Sequence, residues 1–422
     1  MVKIRNGNPV IASALICAAL FYSNLVRPKK AHPYKSLVPK SEIAIATGTI
    51  CSNPVKSSSG GTYRADFFLE SVTSKTGETS ESRGILPILI PAELVEAFFP
   101  GKLYTRTGGA RGIVAENGAR LKIGGQTFQS QKSGQDCFSV SWANPLGWES
   151  SLAKVRGQLR LQFKRLMHSW GNAGGLLLAL LSGSREYTEK QVSEAFTGAG
   201  LSHILALSGM HLSLFGGIAL FLGKKLAGKK IAAVIQLFAI VFFVLFAGLS
   251  PSLFRAFLFS LILCCHSLLG MNMPSSLSVL AASFLIHAII FPAHLTDTAF
   301  LLSYSSLAGI MLFSATVRKW LSPRIIPSVR SSLAESTAAQ FSTAPISAHI
   351  FGRLMPVGIC ASVVLSPLVT IFLYAGLLGI CLCLLLPFLS NTFNGIMNGL
   401  YDFIKWIVCF FAQFPSIKVG LR

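Results

Sequence analysis

Charge is scarce in this chain. Asp, Glu, Lys and Arg make up 13% of its 422 residues, about half the share of a soluble domain. Acidic groups are the scarcest, at 16 against 37 Lys and Arg. None of the four occurs between Arg353 and Asp402, a stretch whose length requires two passes through a bilayer. Other absences narrow the chemistry. The nine cysteines form no CxxC pair and show no Cys/His spacing suited to zinc. No GxxxxGK loop followed by Ser or Thr is present, which excludes a nucleotide-driven motor in this chain. The eight histidines contain no HxHxDH-type cluster, so no two-metal hydrolase site is evident. The chain therefore reads as a non-enzyme, with no metal and no cofactor implied.

What is present is apolar. Hydrophobic residues reach 52% and the mean hydropathy is +0.59, with several runs near the roughly 20 residues that span a bilayer. The net charge of +21 suits contact with anionic lipid or nucleic acid, and a positive-inside bias accounts for part of it. The first apolar run, Pro9 to Leu25, follows Lys3 and Arg5 and fits a signal peptide or an uncleaved anchor. Ala18-Ala19-Leu20 is a poor cleavage site, which favours the anchor.

The expected organisation is a membrane anchor at 1–26, a β domain at 27–148, interfacial helices at 149–199 and a membrane domain at 200–422. In the second region Tyr63, Ala65, Phe67 and Leu69 alternate with Arg64, Asp66, Phe68 and Glu70, the period of a half-buried strand. Further strands are expected at Glu42–Cys51, Gly84–Ile90, Lys102–Val114, Leu121–Gln129 and Phe138–Trp142. Short strands with Gly-rich turns suggest a small closed or sandwiched β domain such as an OB barrel. Next, Lys154, Arg156, Arg160, Lys164 and Arg165 interleave with Leu152, Val155 and Leu159, a pattern that fits the lipid–water interface with its cations toward phosphate.

From Leu201 the expected spans are Leu201–Leu222, Ile231–Leu249, Leu253–Leu269, Leu277–Phe291 and Thr298–Val317. They continue with a semi-polar Thr337–Phe351, broken around Pro345, and then Val357–Tyr374, Ala375–Leu389 and Gly395–Phe411. The basic loops at Lys224/Lys225/Lys229/Lys230 and Arg318/Lys319/Arg324/Arg330 are four spans apart. They share a face, which the positive-inside rule makes cytoplasmic. Continuing the count puts Lys418 and Arg422 inside and the β domain outside, although Arg27, Lys29, Lys30, Lys35 and Lys40 favour the opposite orientation of the first span.

Within Gly198–Leu212, two histidines and two serines lie in an apolar run. On a continuous helix His203, Ser208 and His211 share a broad face, either as a polar lining for a passage or as interhelical bonding. Arg255 must pair, snorkel or face water, with Asp297 as a candidate partner. His266 and His287 sit singly and read as packing histidines. Over 27–165 there are 20 Lys and Arg against 10 Asp and Glu, which would attract nucleic-acid phosphates or form a solvated surface. The candidate phosphate contacts are Arg64, Arg106, Arg111, Lys122, Arg156 and Arg160, and Tyr63, Phe67, Phe68 and Tyr104 are candidates for base stacking. Cys51 and Cys137 are the two thiols of the polar segment. In an oxidising compartment they are expected to pair as a disulfide.

Five pieces of sequence in this order resemble the ComEC family, the inner-membrane channel that draws DNA into competent bacteria. They are LLSGSREY at Leu180–Tyr187, EAFTGAGLSHILALSGMHL at Glu194–Leu212, GLSPSLFRAFL at Gly248–Leu258, DTAFLLSYSSLAGI at Asp297–Ile310 and FSTAPISAHIFG at Phe341–Gly352. The resemblance implies a polytopic α-helical protein of the cytoplasmic membrane, with an extracytoplasmic OB-like domain and a passage for single-stranded DNA. Residues expected to line or gate that passage are Ser202, His203, Ser208, Gly209, His211, Arg255, Asp297, Ser303, Thr343 and Pro345. Implied partners are single-stranded DNA and membrane lipids, a DNA receptor and pilus machinery outside, and a helicase-like motor and single-strand-binding proteins inside. The sequence departs from the family at Ser184, commonly acidic, and at Ser362, often Asn. No metallo-β-lactamase-like domain occurs before Arg422, so no nuclease is implied. Competing readings are an intramembrane serine hydrolase using Ser208 and His211, and a transporter of small solutes or lipid precursors.

Overall fold

The computed structural model describes residues 34–57, 61–97, 112–129, 136–207, 209–248 and 250–418. The expected anchor at 1–26, Ser208, Arg106, Arg111, Tyr104 and most of the strand expected at Lys102–Val114 lie outside them. The described residues form two compact units. One runs to Leu178 and includes Ser184–Tyr187, and the other holds Ala179–Gly183 and Thr188 onward.

The first unit is built on β1 (Ile43–Ile50), β2 (Val55–Lys56), β3 (Thr62–Ser74), β4 (Thr79–Glu81), β5 (Ile85–Pro91), α1 (Ala92–Glu96), β6 (Ala119–Gln129) and β7 (Asp136–Trp148). These seven strands form one sheet. β1 runs antiparallel to both β3 and β6, and β6 runs antiparallel to β7. β5 lies antiparallel to β3 and parallel to β7, so the pairings return on themselves. The period-two alternation decides the register. Tyr63, Ala65, Phe67 and Leu69 point into the core with Ile43, Ile50, Leu86, Ile88, Ile123 and Phe138, while Arg64 and Lys122 face out. Each large apolar side chain so buried stabilises by about 1.5–3 kcal/mol. Tyr63 and Phe67 are therefore core residues and not a base-stacking surface; Phe68 remains half-buried.

The expected disulfide is corrected by this topology. Both thiols are free. Thr49 stands opposite Arg120 on β6, whereas Cys137 stands opposite Phe128. Eight residues of strand separate those positions by about 25 Å, far beyond the roughly 7 Å Cα limit for a bridge. Cys51 donates its Sγ–H to the Asp66 carbonyl, and burial with the nearby Asp66 carboxylate raises its pKa to about 11.

After the sheet come α2 (Ser151–Ser169) and α3 (Gly171–Ser182). α2 starts where the Ser150 side chain accepts from the Ala153 amide, a serine N-cap. Its orientation departs from the expectation at two cations. Leu152, Val155 and Leu159 are exposed, as are Lys154 and Arg165, while Arg160 and Lys164 are buried. The reason lies off the helix: Glu116 accepts from Arg160 Nε at 2.9 Å and from Lys164 Nζ at 2.7 Å, and Glu186 takes Lys164 Nζ at 3.1 Å. Arg160 also donates to Ser184 Oγ at 3.4 Å, at the position where the family commonly has an acid. Arg160 is thus an internal ion-pair member and not a surface contact for phosphate. Arg156 donates to Asn53 Oδ1 at 3.1 Å and is half-buried.

Burial disfavours the charged form of Glu116, but Lys164 and Arg160 outweigh it and hold the carboxyl below its ordinary range. Burial also opposes charge on Lys164, yet Glu116 and Glu186 keep its pKa raised. For Glu186 burial, with the neighbouring Glu116 carboxylate adding to it, outweighs Lys164 and Arg160, and its pKa is raised.

The second unit is helical: α4 (Lys190–Gly198), α5 (Ser202–Leu205), α6 (Gly209–Ala247), α7 (Pro251–Leu268), α8 (Ser276–Ile290), α9 (Thr298–Trp320), α10 (Pro327–Phe351), α11 (Gly358–Leu385) and α12 (Ser390–Ala412). Two-residue strands β8 (Arg353–Leu354) and β9 (Ile417–Lys418) join them. Among the described residues, four helices are long and apolar enough to cross a membrane: Pro251–Leu268, Thr298–Trp320, Gly358–Cys383 and Ser390–Ala412. This is a membrane protein with a β-rich unit.

Three expectations for this unit change. The span expected to start at Leu201 is interrupted near Ala206, whereas the break expected between Leu222 and Ile231 falls at Gly228, which has φ 79° and ψ 174°. The two spans expected at Val357–Tyr374 and Ala375–Leu389 are one helix, α11, which continues through Pro367. Finally, β8 and β9 pair, Arg353 opposite Lys418. Two helices, α11 and α12, lie between them, one fewer than the three spans expected between Arg353 and Lys418.

Candidate membrane path

The backbone between α5 and α6 turns extended at Ala206, with φ −83° and ψ 141°. Irregular backbone at membrane depth survives only where protein satisfies its polar groups. Here Ser252 on α7 donates its hydroxyl to the Leu207 carbonyl. The start of α7 is secured by Ser250, whose side chain accepts from the Leu253 amide at 3.3 Å, and by Pro251 at the first helical position.

Arg255 lies one turn further along α7. Its Nη1 donates to the Ser303 carbonyl of α9 at 3.3 Å. A Cβ built on Gly209 would stand 3.3 Å from Arg255 Nη2 and 3.4 Å from Ala256 Cβ, so the glycine lets α6 approach the guanidinium. Three separate stretches of sequence, around Gly209, Arg255 and Ser303, thereby meet at one junction beside the helix break.

The next turns of α9 meet α10. Ser305 Oγ donates to the Ser342 carbonyl at 2.8 Å, and Ser342 Oγ donates to the Ser305 carbonyl at 3.0 Å. Gly309 makes the approach possible, because a Cβ there would fall 2.0 Å from Ser342 Oγ. Pro345 sits within a continuous α10 and does not break it. Thr343 Oγ1 donates to the Ala339 carbonyl at 2.9 Å, so its hydroxyl is held by its own helix.

The remaining expected residues fall as follows. Ser202 and His203 are exposed on α5, and Ser202 donates to Thr197 Oγ1 at 3.2 Å. His211 is buried at 1% exposure on α6. The helix break separates His203 from His211, so the shared face inferred for one continuous helix does not exist. Asp297 does not partner Arg255. Its Oδ1 accepts from the Ala299 amide at 2.9 Å and caps α9. Arg255 finds a backbone carbonyl instead.

Sequence reasoning missed the environment of His287. This residue is fully buried against Tyr304, inside the same stretch as Ser303, and against His294. A lone histidine in an apolar run carried no hint of a second one seven residues on. Among the described residues, no group of three His, Cys, Asp or Glu is placed to hold a metal ion.

A family model described as Competence protein matches residues 180–421, more than half of the chain. ComE operon protein 3 of Bacillus subtilis (strain 168) is 26% identical over 251 residues, which cover 58% of this chain and 31% of that protein. The chain thus matches under a third of the length of this relative. No solved structure matches it. The five ordered stretches, four of which meet in the helical unit, and the family match agree, and the chain is a member of the competence protein family, of ComEC type.

Proposed function

We propose that this chain is an integral channel of the cytoplasmic membrane that passes single-stranded DNA during natural transformation. The observation that carries the reading is the junction of Gly209, Ser252, Arg255 and Ser303 at an interrupted helix. A polar cation held at membrane depth by one backbone carbonyl is expensive unless it serves a path. Its Nε is buried and has no hydrogen-bond partner among the described residues, an unsatisfied donor at the junction that needs a polar group to reach it. The gating role extends in this reading to Ser202, His203, Ser208 and His211 along the approach to the break, and to Thr343 and Pro345 on α10.

The first unit is read as an extracytoplasmic OB-like barrel. Its pairing cycle, β1-β3-β5-β7-β6 back to β1 with β5 and β7 parallel, supports a closed five-stranded Greek-key barrel. Arg64 and Lys122 face out from it and supply phosphate contacts, while the exposed Leu152, Val155 and Leu159 suit the lipid interface. A receptor and pilus machinery outside, and a motor with single-strand binders inside, complete the pathway. Placing Arg318 and Arg330 in the cytoplasm sets Arg353 and Lys418 together on the other side if α10 crosses.

Against the hydrolase reading, the buried His211 lies on the same helix as the position next to Ser208, which leaves few rotamers that align a base with a nucleophile. Deleting the gene and measuring internalised DNA separately from surface-bound DNA tests the channel. Arg255→Ala is expected to retain membrane level and DNA binding but to lower internalisation about tenfold, the equivalent of one interhelical bond of ~1–2 kcal/mol. Normal internalisation in the deletion strain defeats the proposal. A serine-reactive probe that labels the wild type would revive the hydrolase.

A further inference from the structure

His287 on α8 is buried at 0% exposure, and His294 lies seven residues later in the turn Pro292–Thr296. Their facing nitrogens, His287 Nε2 and His294 Nδ1, are 3.0 Å apart. Two ring nitrogens at that distance require one proton between them, since two lone pairs repel and two N–H groups clash. The rest of the network says which ring carries it. Tyr304 donates its hydroxyl to the Ser283 carbonyl at 3.0 Å, so its oxygen is left to accept from His287 Nδ1–H at 3.3 Å. His287 is then neutral with a lone pair on Nε2, and His294 Nδ1–H donates to it. These tautomers are assigned from the network.

The walls around His287 are aromatic and dry. Phe254 of α7 and Phe300 of α9 stand nearly perpendicular to its ring at centroid distances of 4.8 and 4.9 Å, and Phe291 stacks on His294 at 4.9 Å. An added charge is therefore better held on the His294 ring, beside the stacked Phe291 and the exposed Asp297, than on His287. The charged and titratable groups from each neighbouring element are Arg255 on α7, His294 on the turn, and Asp297 and Tyr304 on α9. Asp297 is exposed beside His294, whereas Arg255 acts on the buried side.

We propose that His287 and His294 form a proton-binding site, loaded from the surface through His294. A proton from water adds to His294 Nε2 and makes that ring an imidazolium. Its Nδ1 proton stays shared with His287 Nε2, so the pair holds one added proton with the charge on the His294 ring, beside Asp297 and away from Arg255. The proton leaves by the same route, through His294 Nε2. This proton site stands on its own geometry and does not depend on what the channel carries.

The test is nitrogen-15 NMR of the full chain in lipid nanodiscs, with labelled histidine, a chelator present, and pH varied. Wild type is expected to show a scalar-coupled N–H···N pair, with the two protonations of the pair separated by more than about one pH unit as interacting sites require. His287→Gln and His294→Gln are each expected to lose the coupled signal; His294 is half-exposed, so its variant retains the fold if the buried change does not. Tyr304→Phe is expected to release the His287 tautomer, shifting protonation from Nδ1 toward Nε2. Two histidines that titrate independently within the ordinary range, with no N–H···N coupling, would overturn the site.

Discussion

Glu116→Ala is expected to lower the stability of the β-rich unit by about 3–5 kcal/mol, the cost of leaving buried cations without their partner. Arg160 and Lys164 both bond this carboxylate from α2, with side chains 2% and 5% exposed. Removing it leaves Glu186 as the acid facing Lys164. With total stabilities of about 5–15 kcal/mol, the change takes a large share of the margin. Thermal unfolding of the full chain in nanodiscs, read by protease cleavage within the sheet, measures it.

The control replaces all four members, Glu116→Leu, Arg160→Met, Lys164→Met and Glu186→Leu. Exchange of a whole buried cluster for apolar groups of similar size is often neutral or stabilising, so this variant is expected to recover most of the loss. The sign of the pH dependence follows from the shifts. Glu116, held low by its cations, contributes stability above the unfolded carboxylate value of about 4.3, and that stability is lost as pH falls through the lower folded value. Glu186, raised by burial, adds stability as pH falls through its folded value and softens the upper part of that limb. Lys164, raised, contributes below the unfolded lysine value of about 10.4 and loses that contribution as pH rises through its folded value. Glu116→Ala should flatten the acid limb. An unaltered acid limb, or a single variant as stable as wild type, would show that the four groups are not coupled.

Gly309→Ala is expected to separate α9 from α10. The added carbon would lie 2.0 Å from Ser342 Oγ and 2.8 Å from the Ala338 carbonyl, closer than any real contact. Forcing the helices apart costs about 1–3 kcal/mol of overpacking and breaks the reciprocal Ser305–Ser342 bonds, each worth ~0.6–2 kcal/mol in a membrane. A loss of roughly 2–5 kcal/mol should appear as reduced membrane level and lower resistance to detergent unfolding. Gly399→Ala, where nothing lies within 4 Å, provides the comparison. Adding Ser342→Gly to Gly309→Ala removes the Ser342 side-chain collision, leaves the Ala338 carbonyl at 2.8 Å and should restore part of the packing. Equal stability of Gly309→Ala and Gly399→Ala would refute the close approach.

The helix starts were readable because their chemistry is local. Ser250-Pro251 opens α7 and Asp297 opens α9, where side-chain oxygens meet orphan amides within three residues. The strand Thr62–Ser74 was equally readable, since alternation along one strand reports its two faces without any knowledge of the partner strands. The candidate site was legible only as a set of stretches. Nothing within SPSLFR says that its arginine reaches the carbonyl of Ser303, because a backbone acceptor leaves no signature in the residue type.

The class of the molecule was therefore determined by sequence alone: a membrane protein with one β-rich region, and a member of its family through ordered motifs. Tertiary structure decided the rest. α2 presents Leu152 and Leu159 outward and turns Arg160 and Lys164 inward because Glu116 and Glu186, distant in sequence, supply the countercharge. The tail returns beside Arg353 because β9 pairs with β8, a long-range bond that no hydropathy window detects. Local pattern reports what a segment can bury, whereas only the assembled chain supplies the partner that decides which face is buried and which polar group is paired.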